Sequence, residues 1–588
     1  MTQRLHELKN TAPAVGVALR ESLATGYGLG DFRADLMAGI TVGIVAVPLA
    51  MALAIACGVP PQYGLYTSIV AGLVIALTGG SRVNISGPTA AFVVILVPIA
   101  HSYGLGGLVI ATLMAGLILV AMGMMRLGGL VQFIPYPVTT GFTAGIAVVI
   151  ATMQVKDFLG LEIDIVGGNF FEKLRTIFLN LPTLHWPDLL VGGATLAVMV
   201  AWPRLKTRIP GHMMALIAGA MLAWLLGLVS ADLGVATIGS RFSYSVNGIL
   251  EHGIPSLPPL FVWPWELPGA DGQPVGLSFA MIHSLIGPAF AIAMLGAIES
   301  LLCAVVADGL AGTKHDSNAE LVGQGLGNIV APFFGGFAAT AAIARTATNI
   351  RAGARTPIAA VIHALTVLLA VISLAGLLAY VPMASLAALL LVVAWNMSEA
   401  KHFYNIVNVA PRSDVAVLLT CFFLTVVFDM VLAVSVGVVL AALLFIRRMA
   451  DLTGAQMVSQ QAHPHLADLP RHVVVYDING PLFFGAAEKA LSTLHRVSRE
   501  VKVVILDMTD VSMMDMTGIV AFDSLIKNMR KKKVSLIVSG LTPRLLEKLA
   551  NAGIEPQPMG LTFCENLLQA RAVALEPEST QQIGGDRL

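Results

Sequence analysis

Apolar runs of about 20 residues recur along this chain from Leu36 to Ile446. Each is long enough to cross the roughly 30 Å hydrocarbon core of a bilayer. The pattern predicts spans at 36–57, 63–79, 85–101, 107–125, 132–153, 189–203 and 212–230, then a polar, proline-rich stretch from Ala231 to Leu277. A second set follows at 281–306, 320–334, 339–355, 357–380, 383–397, 413–430 and 431–446, the last division resting on helix length and on Asp429. From Asp451 the period changes. His472–Ile478, Lys502–Met508 and Val534–Gly540 alternate as strands. Ala486–Glu500, Thr517–Met529 and Pro543–Ala552 carry helical amphipathic patterns. The expected fold is therefore a polytopic all-α membrane domain followed by a small α/β domain. Its boundaries are a cytoplasmic lead-in at 1–34, the membrane domain at 35–449, a linker at 450–465, the α/β domain at 466–575 and a polar, disordered tail at 576–588.

Composition agrees with a membrane protein. Hydrophobic residues make up 56% and charged residues 12%, against about 25% charged in soluble domains. The net charge of zero gives no global signature for nucleic acid. The first 30 residues lack the compact apolar core of a signal peptide. Basic residues orient the spans. With the N-terminus in the cytoplasm, inner loops hold Arg82, Arg126, Arg204, Lys206, Arg208, Lys314, Arg351, Arg355, Lys401, Arg412, Arg447 and Arg448. Outer loops hold Lys156, Lys173, Arg175 and Arg241. That asymmetry follows the positive-inside rule and places both termini in the cytoplasm.

Enzyme chemistry finds no support. Cys57, Cys303, Cys421 and Cys564 show neither metal spacing nor a disulfide framework. Gly323–Gly327 lacks the preceding strand of a dinucleotide site, and no GxxxxGK[ST] phosphate loop occurs. No catalytic triad, cofactor or metal is expected.

The informative stretch is Phe333–Pro357, FFGGFAATAAIARTATNIRAGARTP. Glycines and small residues lead into Arg345, a charge costing about 2.5–3.5 kcal/mol at membrane depth on insertion scales. The segment reads as a short extended piece handing over to a half-helix, whose first N–H groups and partial positive charge suit an anion. The third span, VNISGPTAAFVVILVPIA, repeats the plan, with Gly87 as the break and Pro88 at a first helical turn. Interrupted spans at matching places in two halves point to an inverted repeat with a site between them. The alternative is a pair of kinked packing helices. Glu299 lies in the apolar run MLGAIESLLCAVV, where a buried carboxyl tends to hold a proton. It reads as a proton-coupling group with Arg345 as partner, or as a structural carboxyl. Gln324 and Asn328 either line the core or bond between helices, and Gly39 and Gly43 read as a packing face. Asp308, His315 and Asp316 read as a solvated loop, and Lys531–Lys533 as a solvated turn.

The run Pro61–Ser68 (PQYGLYTS), closing at Gly80-Ser81-Arg82, resembles the signature of the sulfate permease family, and ELVGQGLGN from Glu320 resembles its second landmark. The tail resembles a STAS domain. Within the family, GITVGIVAVPLAMALAI, GGSRVNISGPTAAFVVIL, MLGAIESLLCAVV and LLLVVAWNMSEA resemble a bacterial C4-dicarboxylate branch. The resemblance implies fourteen spans in a 7+7 inverted repeat, core and gate subdomains, a homodimer and an elevator movement. It implies a substrate pocket of Leu49, Leu53, Gly87, Pro88, Thr89, Ala90, Ala344, Arg345 and Thr346, and a proton-coupling role for Glu299. Leu49, Leu53 and Thr89 depart from the polar or aromatic residues of animal members, which favours a cargo with a carbon backbone. In the STAS-like part, the position phosphorylated in antagonist relatives is Met516, which removes that switch. The expectation is a proton-coupled importer of C4-dicarboxylates such as succinate, fumarate or aspartate in a bacterial inner membrane, with a cytosolic partner for the tail. Sulfate transport, sodium-coupled bicarbonate transport, an anion channel and a STAS-linked sensor are the alternatives.

Overall fold

The computed structural model describes residues 15–129, 134–163, 169–205, 207, 210–230, 233–246, 249–428, 430–452, 454–458, 469–483, 487, 500–557 and 560–576. Lys206, Arg208, Asp429, nearly all of 486–500 and the tail from 577 lie outside the described residues. The chain divides into two compact units, 1–438 and 439–588.

The first unit is helical. After α1 (Val17–Ala24) come α2 (Leu29–Ala56), α3 (Pro61–Thr78), strand β1 (Ser86–Gly87), α4 (Ala90–Met124), α5 (Tyr136–Leu159), α6 (Phe170–Leu179), α7 (Trp186–Ala201) and α8 (Gly211–Val229). A hairpin of β2 (Ser243–Val246) and β3 (Ile249–His252) interrupts the polar stretch. The second set is α9 (Phe279–Ala311), α10 (Ser317–Val330), strand β4 (Thr340–Ala341), α11 (Ile343–Arg351), α12 (Ile358–Leu378), α13 (Met383–Met397), α14 (Ala400–Val409), α15 (Arg412–Val427) and α16 (Met430–Leu452). Ten described segments are long and apolar enough to cross a membrane. Helix α4 has 35 residues, about 52 Å at 1.5 Å per residue, too long for one crossing. Gly104, at φ +69°, breaks it where the third and fourth spans were expected to part. A Cβ there would lie 2.2 Å from the Gly269 carbonyl carbon.

Helix α2 starts at Leu29, earlier than its apolar run, because its acidic residues have partners. Asp35 is fully buried and accepts from the backbone N–H groups of Arg355 (2.7 Å) and Thr356 (3.1 Å), while Asp31 pairs with Arg355 at 2.8 Å. Gly39 and Gly43 form the expected packing face. A Cβ at either would lie 2.6 Å from Ala359 O or Thr366 Cβ of α12.

Helix α10 organises the broken segments. Glu320, Gln324 and Asn328 recur every four residues, so they share one face. Glu320 accepts from Gly80 N and Ser81 N at 3.0 Å, and from Asn84 Nδ2 and Gln324 Nε2 at 3.1 Å. Gln324 Nε2 also reaches Ser86 Oγ at 3.0 Å. Asn328 donates to Ala339 O and accepts from Ala339 N, both at 2.8 Å. Gln324 and Asn328 are buried and bond to the extended segments, at Ser86 of β1 and at Ala339 just before β4, rather than from helix to helix. Strands β1 and β4 pair antiparallel, Ser86 with Ala341 and Gly87 with Thr340.

The second unit is a five-stranded sheet in the order β5 (Gly454–Met457), β6 (Val473–Asn479), β7 (Val503–Asp507), β8 (Ser535–Ser539) and β9 (Leu561–Cys564). The β5–β6 pair is antiparallel and the rest are parallel. Helices α17 (Met516–Lys531), α18 (Pro543–Asn551) and α19 (Leu567–Leu575) complete it. Alternate strand residues enter different cores, Val504, Leu506 and Val538 with Phe522 and Leu549 on one face, Val503, Ile505 and Ile537 with Ala570 on the other. Burial on both faces is characteristic of parallel sheets. The three expected strands are present. β5 lies in the stretch read as a linker, since four residues at a sheet edge carry too little alternation to register. Lys531–Lys533 is the exposed turn expected, with Lys533 at φ +59°.

Replacing Glu320 by Ala strips the acceptor from four donors at once. A loss of about 3–5 kcal/mol is expected, read as a lower unfolding midpoint by fluorescence-detected size-exclusion thermostability, with Glu320→Gln retaining part of it.

Candidate functional site

The two interrupted segments meet. Thr89 is the N-cap of α4 and Ala342 the N-cap of α11, both in extended backbone, so each half-helix starts beside the β1–β4 pair. Each start presents N–H groups without intrahelical acceptors.

Arg345 sits in the first turn of α11 and is 2% exposed. Its Nη2 donates to Pro88 O, joining the two half-helix starts. Gly87 makes the approach possible, because a Cβ there would lie 2.7 Å from Arg345 Nη1 and 3.2 Å from Ser68 Oγ. Nε and Nη1 of Arg345, and Ser68 Oγ, are buried and bond to no protein atom among the described residues. A buried guanidinium with two nitrogens still able to donate matches a carboxylate or oxyanion.

Glu299 is bonded to Thr89, whose Oγ1 donates to Oε2 at 2.9 Å. Among the described residues Glu299 and Arg345 form no ion pair; they are linked through the neighbours Pro88 and Thr89 and lie close enough to interact electrostatically. Thr346 is drawn into the scaffold. Its Oγ1 accepts from Ile85 N at 3.0 Å and from the Cys303 thiol at 3.3 Å. Ala90 is 8% exposed and Leu53 1%, with Leu49 half-buried against the same apolar cluster. Ala344 is exposed. Gly87, Pro88, Thr89 and Arg345 thus meet at the two half-helix starts, with Ala90 next in line on α4, while Thr346 supports them from behind.

The sequence reading did not single out Ser68, Asn84, Cys303 and Asn349 for this site. Asn349 Nδ2 donates to Val83 O at 2.9 Å, and Cys303 Sγ lies 3.7 Å from Asn84 Oδ1. Their signal was faint, small polar residues within apolar runs. His363 lies fully buried in α12. Asp308, expected with His315 and Asp316 in a solvated loop, lies in the last turn of α9, and the other two follow in a half-buried loop before α10. His315 Nδ1 is 2.7 Å from Asp308 Oδ2, and His315 Nε2 is 3.0 Å from Ser317 Oγ. This Asp–His–Ser order does not make a hydrolase. The adjacent N–H groups of Asn318 and Ala319 both donate to Asp316 Oδ1, leaving them no role toward an oxyanion. Among the described residues no cluster of His, Cys, Asp or Glu could hold a metal. In the second unit, Met516 is the exposed first residue of α17, with Asp515 Oδ1 accepting from Gly518 N at 2.8 Å.

Comparison with known proteins agrees. The family model described as "Sulfate permease family" matches residues 32–421, and that described as "STAS domain" matches 465–569. YvdB of Bacillus subtilis strain 168, named for sulfate transport, is 41% identical over 531 residues, 90% of this chain and 95% of its own. Bicarbonate transporter BicA of Synechocystis is 28% identical over 578 residues, covering 94% of this chain and 96% of its own. The transmembrane domain of a cyanobacterial BicA superposes with a TM-score of 0.58 at 28% identity, covering 71% of this chain and 98% of that one. Murine Solute Carrier 26 family member A9, solved in an inward-facing state, shares the fold with a TM-score of 0.80 at 18% identity, over 95% of this chain and 94% of its own.

Two substitutions probe the geometry. Gly87→Ala must displace the Arg345 guanidinium, and Arg345→Lys removes its planar fork. Each is expected to weaken apparent anion affinity about 10- to 100-fold, the equivalent of one or two charged hydrogen bonds, while the size-exclusion profile is unchanged.

Proposed function

The chain belongs to the sulfate permease family, a family of membrane anion transporters rather than enzymes, and on that footing we propose that it imports C4-dicarboxylates together with protons. The carrying observation is Arg345, buried between two half-helix starts with Nε and Nη1 free of protein acceptors. Such a site neutralises an anion with one full charge and several N–H groups, so the anion can also leave. The cargo class follows from the wall. In this reading Leu49 and Leu53 of α2, which belong with Ala90 to one apolar cluster, supply an aliphatic wall that suits the carbon backbone of succinate, fumarate or aspartate. Glu299, the carboxyl bonded to Thr89 beside the site, is the proton carrier in this reading.

The wider assembly belongs to the same proposal. It is a homodimer of fourteen-span protomers in a bacterial inner membrane, with both termini cytoplasmic. Each has an inverted repeat divided into core and gate, and the core moves as an elevator. Residues 466–575 act as a docking module for a cytosolic partner. Sulfate or bicarbonate is the second reading, favoured by what YvdB and BicA are named for.

Proteoliposomes with an imposed inward proton gradient test the whole. Labelled succinate is expected to accumulate above its external concentration and to be displaced by unlabelled fumarate far better than by sulfate or bicarbonate. Equilibration without accumulation would indicate a channel, and selective displacement by sulfate or bicarbonate would transfer the cargo. Glu299→Gln is expected to abolish stimulation by the gradient while leaving downhill exchange of succinate.

A further inference from the structure

A second cavity opens away from the Arg345 site. It holds about 450 Å³ and lies between α4, α5, α9 and the α15–α16 turn, with α6 at its rim. Val94 and Pro98 of α4, Val149 of α5 and Ala291 of α9 make it mainly apolar. Lys173 and Asn169 supply its polar edge, and Lys173 is the one cation that lines it. In the topology set by the basic residues, α6 belongs to an outer loop and α4 runs outward from Ala90. Val94 lies four residues beyond Ala90, about 6 Å along the helix. Ala291 lies eight residues before Glu299, about 12 Å. The cavity therefore stands between the outer surface and the Arg345 site.

Lys173 is half-buried, and burial pulls its pKa below the ordinary lysine value. Among the described residues it has no ion-pair partner. The adjacent carboxylate is occupied elsewhere, since Glu172 Oε2 accepts from Asn169 N at 3.0 Å to cap α6. An ammonium held over an apolar cavity, with no carboxylate partner among the described residues, is stabilised by an anion that enters it.

We propose that Lys173, with Asn169, forms an outer holding site for the transported anion, occupied before transfer to Arg345. The inference rests on the anion-transport reading. The site recruits a carboxylate or oxyanion by charge, and its apolar walls keep the contact loose enough to pass the anion on. The same chemistry would hold the phosphate of a lipid headgroup, so the test separates the two.

Right-side-out membrane vesicles bearing wild type, Lys173→Arg, Lys173→Gln and Lys173→Glu give initial uptake rates over a range of external succinate, or of whichever anion wild type carries. The half-saturation concentration is expected to rise about threefold in the Gln variant and tenfold in the Glu variant, with Arg near wild type. The maximal rate and the half-saturation for efflux should stay within twofold of wild type. Raising ionic strength should narrow the difference. Equal external half-saturation in wild type and Lys173→Glu overturns the proposal while leaving anion transport standing. A shift that vanishes when the same variants are reconstituted into liposomes without anionic phosphatidylglycerol also overturns it, assigning the lysine to lipid. Absence of uptake of any anion by wild type would instead remove the transport reading itself.

Discussion

A guanidinium buried at membrane depth, next to backbone that has left the helix, is the constraint that orders the first unit. Either feature alone is expensive there. Together each lowers the cost of the other. Strands β1 and β4 share backbone hydrogen bonds that neither segment could make alone. Pro88, having no N–H of its own, still offers the carbonyl that holds Arg345 Nη2. Gly87 leaves the space the guanidinium fills, so the residue that permits the break also admits the charge.

That arrangement needs a rigid backing, and α10 provides it. Three amide or carboxylate side chains on one face hold the 80–84 loop, Ser86 and Ala339. The two interrupted segments are thereby bound to one helix as well as to each other. Relative motion of β1 and β4 would break buried bonds to that face of α10, each costing about 1–3 kcal/mol to leave unmade. Any conformational change that exposes the site alternately must carry these pieces together.

Much of this was legible in the sequence because its signals are local. Gly-Pro at 87–88 and an arginine inside an apolar run each violate the surrounding pattern, and such violations cluster where function is held. The two breaks, legible as such violations, do meet, at the β1–β4 pair and at the Arg345–Pro88 bond. Which polar atoms are satisfied was not legible. Thr346 and Thr89 are both threonines beside a half-helix start. One is tied to Ile85 and Cys303, residues 261 and 43 positions away, and the other to Glu299, 210 positions away. That Glu299 and Arg345 are joined through Thr89 and Pro88 was hidden for the same reason, because a distance across the fold has no trace in spacing along the chain. Helix α2 began early because Asp35 finds donors at 355 and 356, which hydropathy cannot weigh. In the second unit the central strands announced themselves by alternation, while β5, with four residues at the edge, did not.

Thr89 gives the proposed coupling a physical route without contact between the two charges. A hydroxyl has one proton to donate. In this structure Thr89 gives it to Glu299 Oε2, so it is withheld from any anion near Arg345. If Glu299 takes up a proton, its carboxyl gains a donor of its own and its claim on the threonine weakens. Thr89 can then turn its O–H toward the anion, adding one donor at the moment the local negative charge falls by one. Both changes favour the bound anion, and loss of the proton reverses both. Proton and cargo then stabilise each other through one side chain, with a coupling of the size of a single charged hydrogen bond, about 1.5–3 kcal/mol. On that scheme Thr89→Val would retain the carboxyl and the guanidinium and still lose the link between them, whereas Thr89→Ser would keep it.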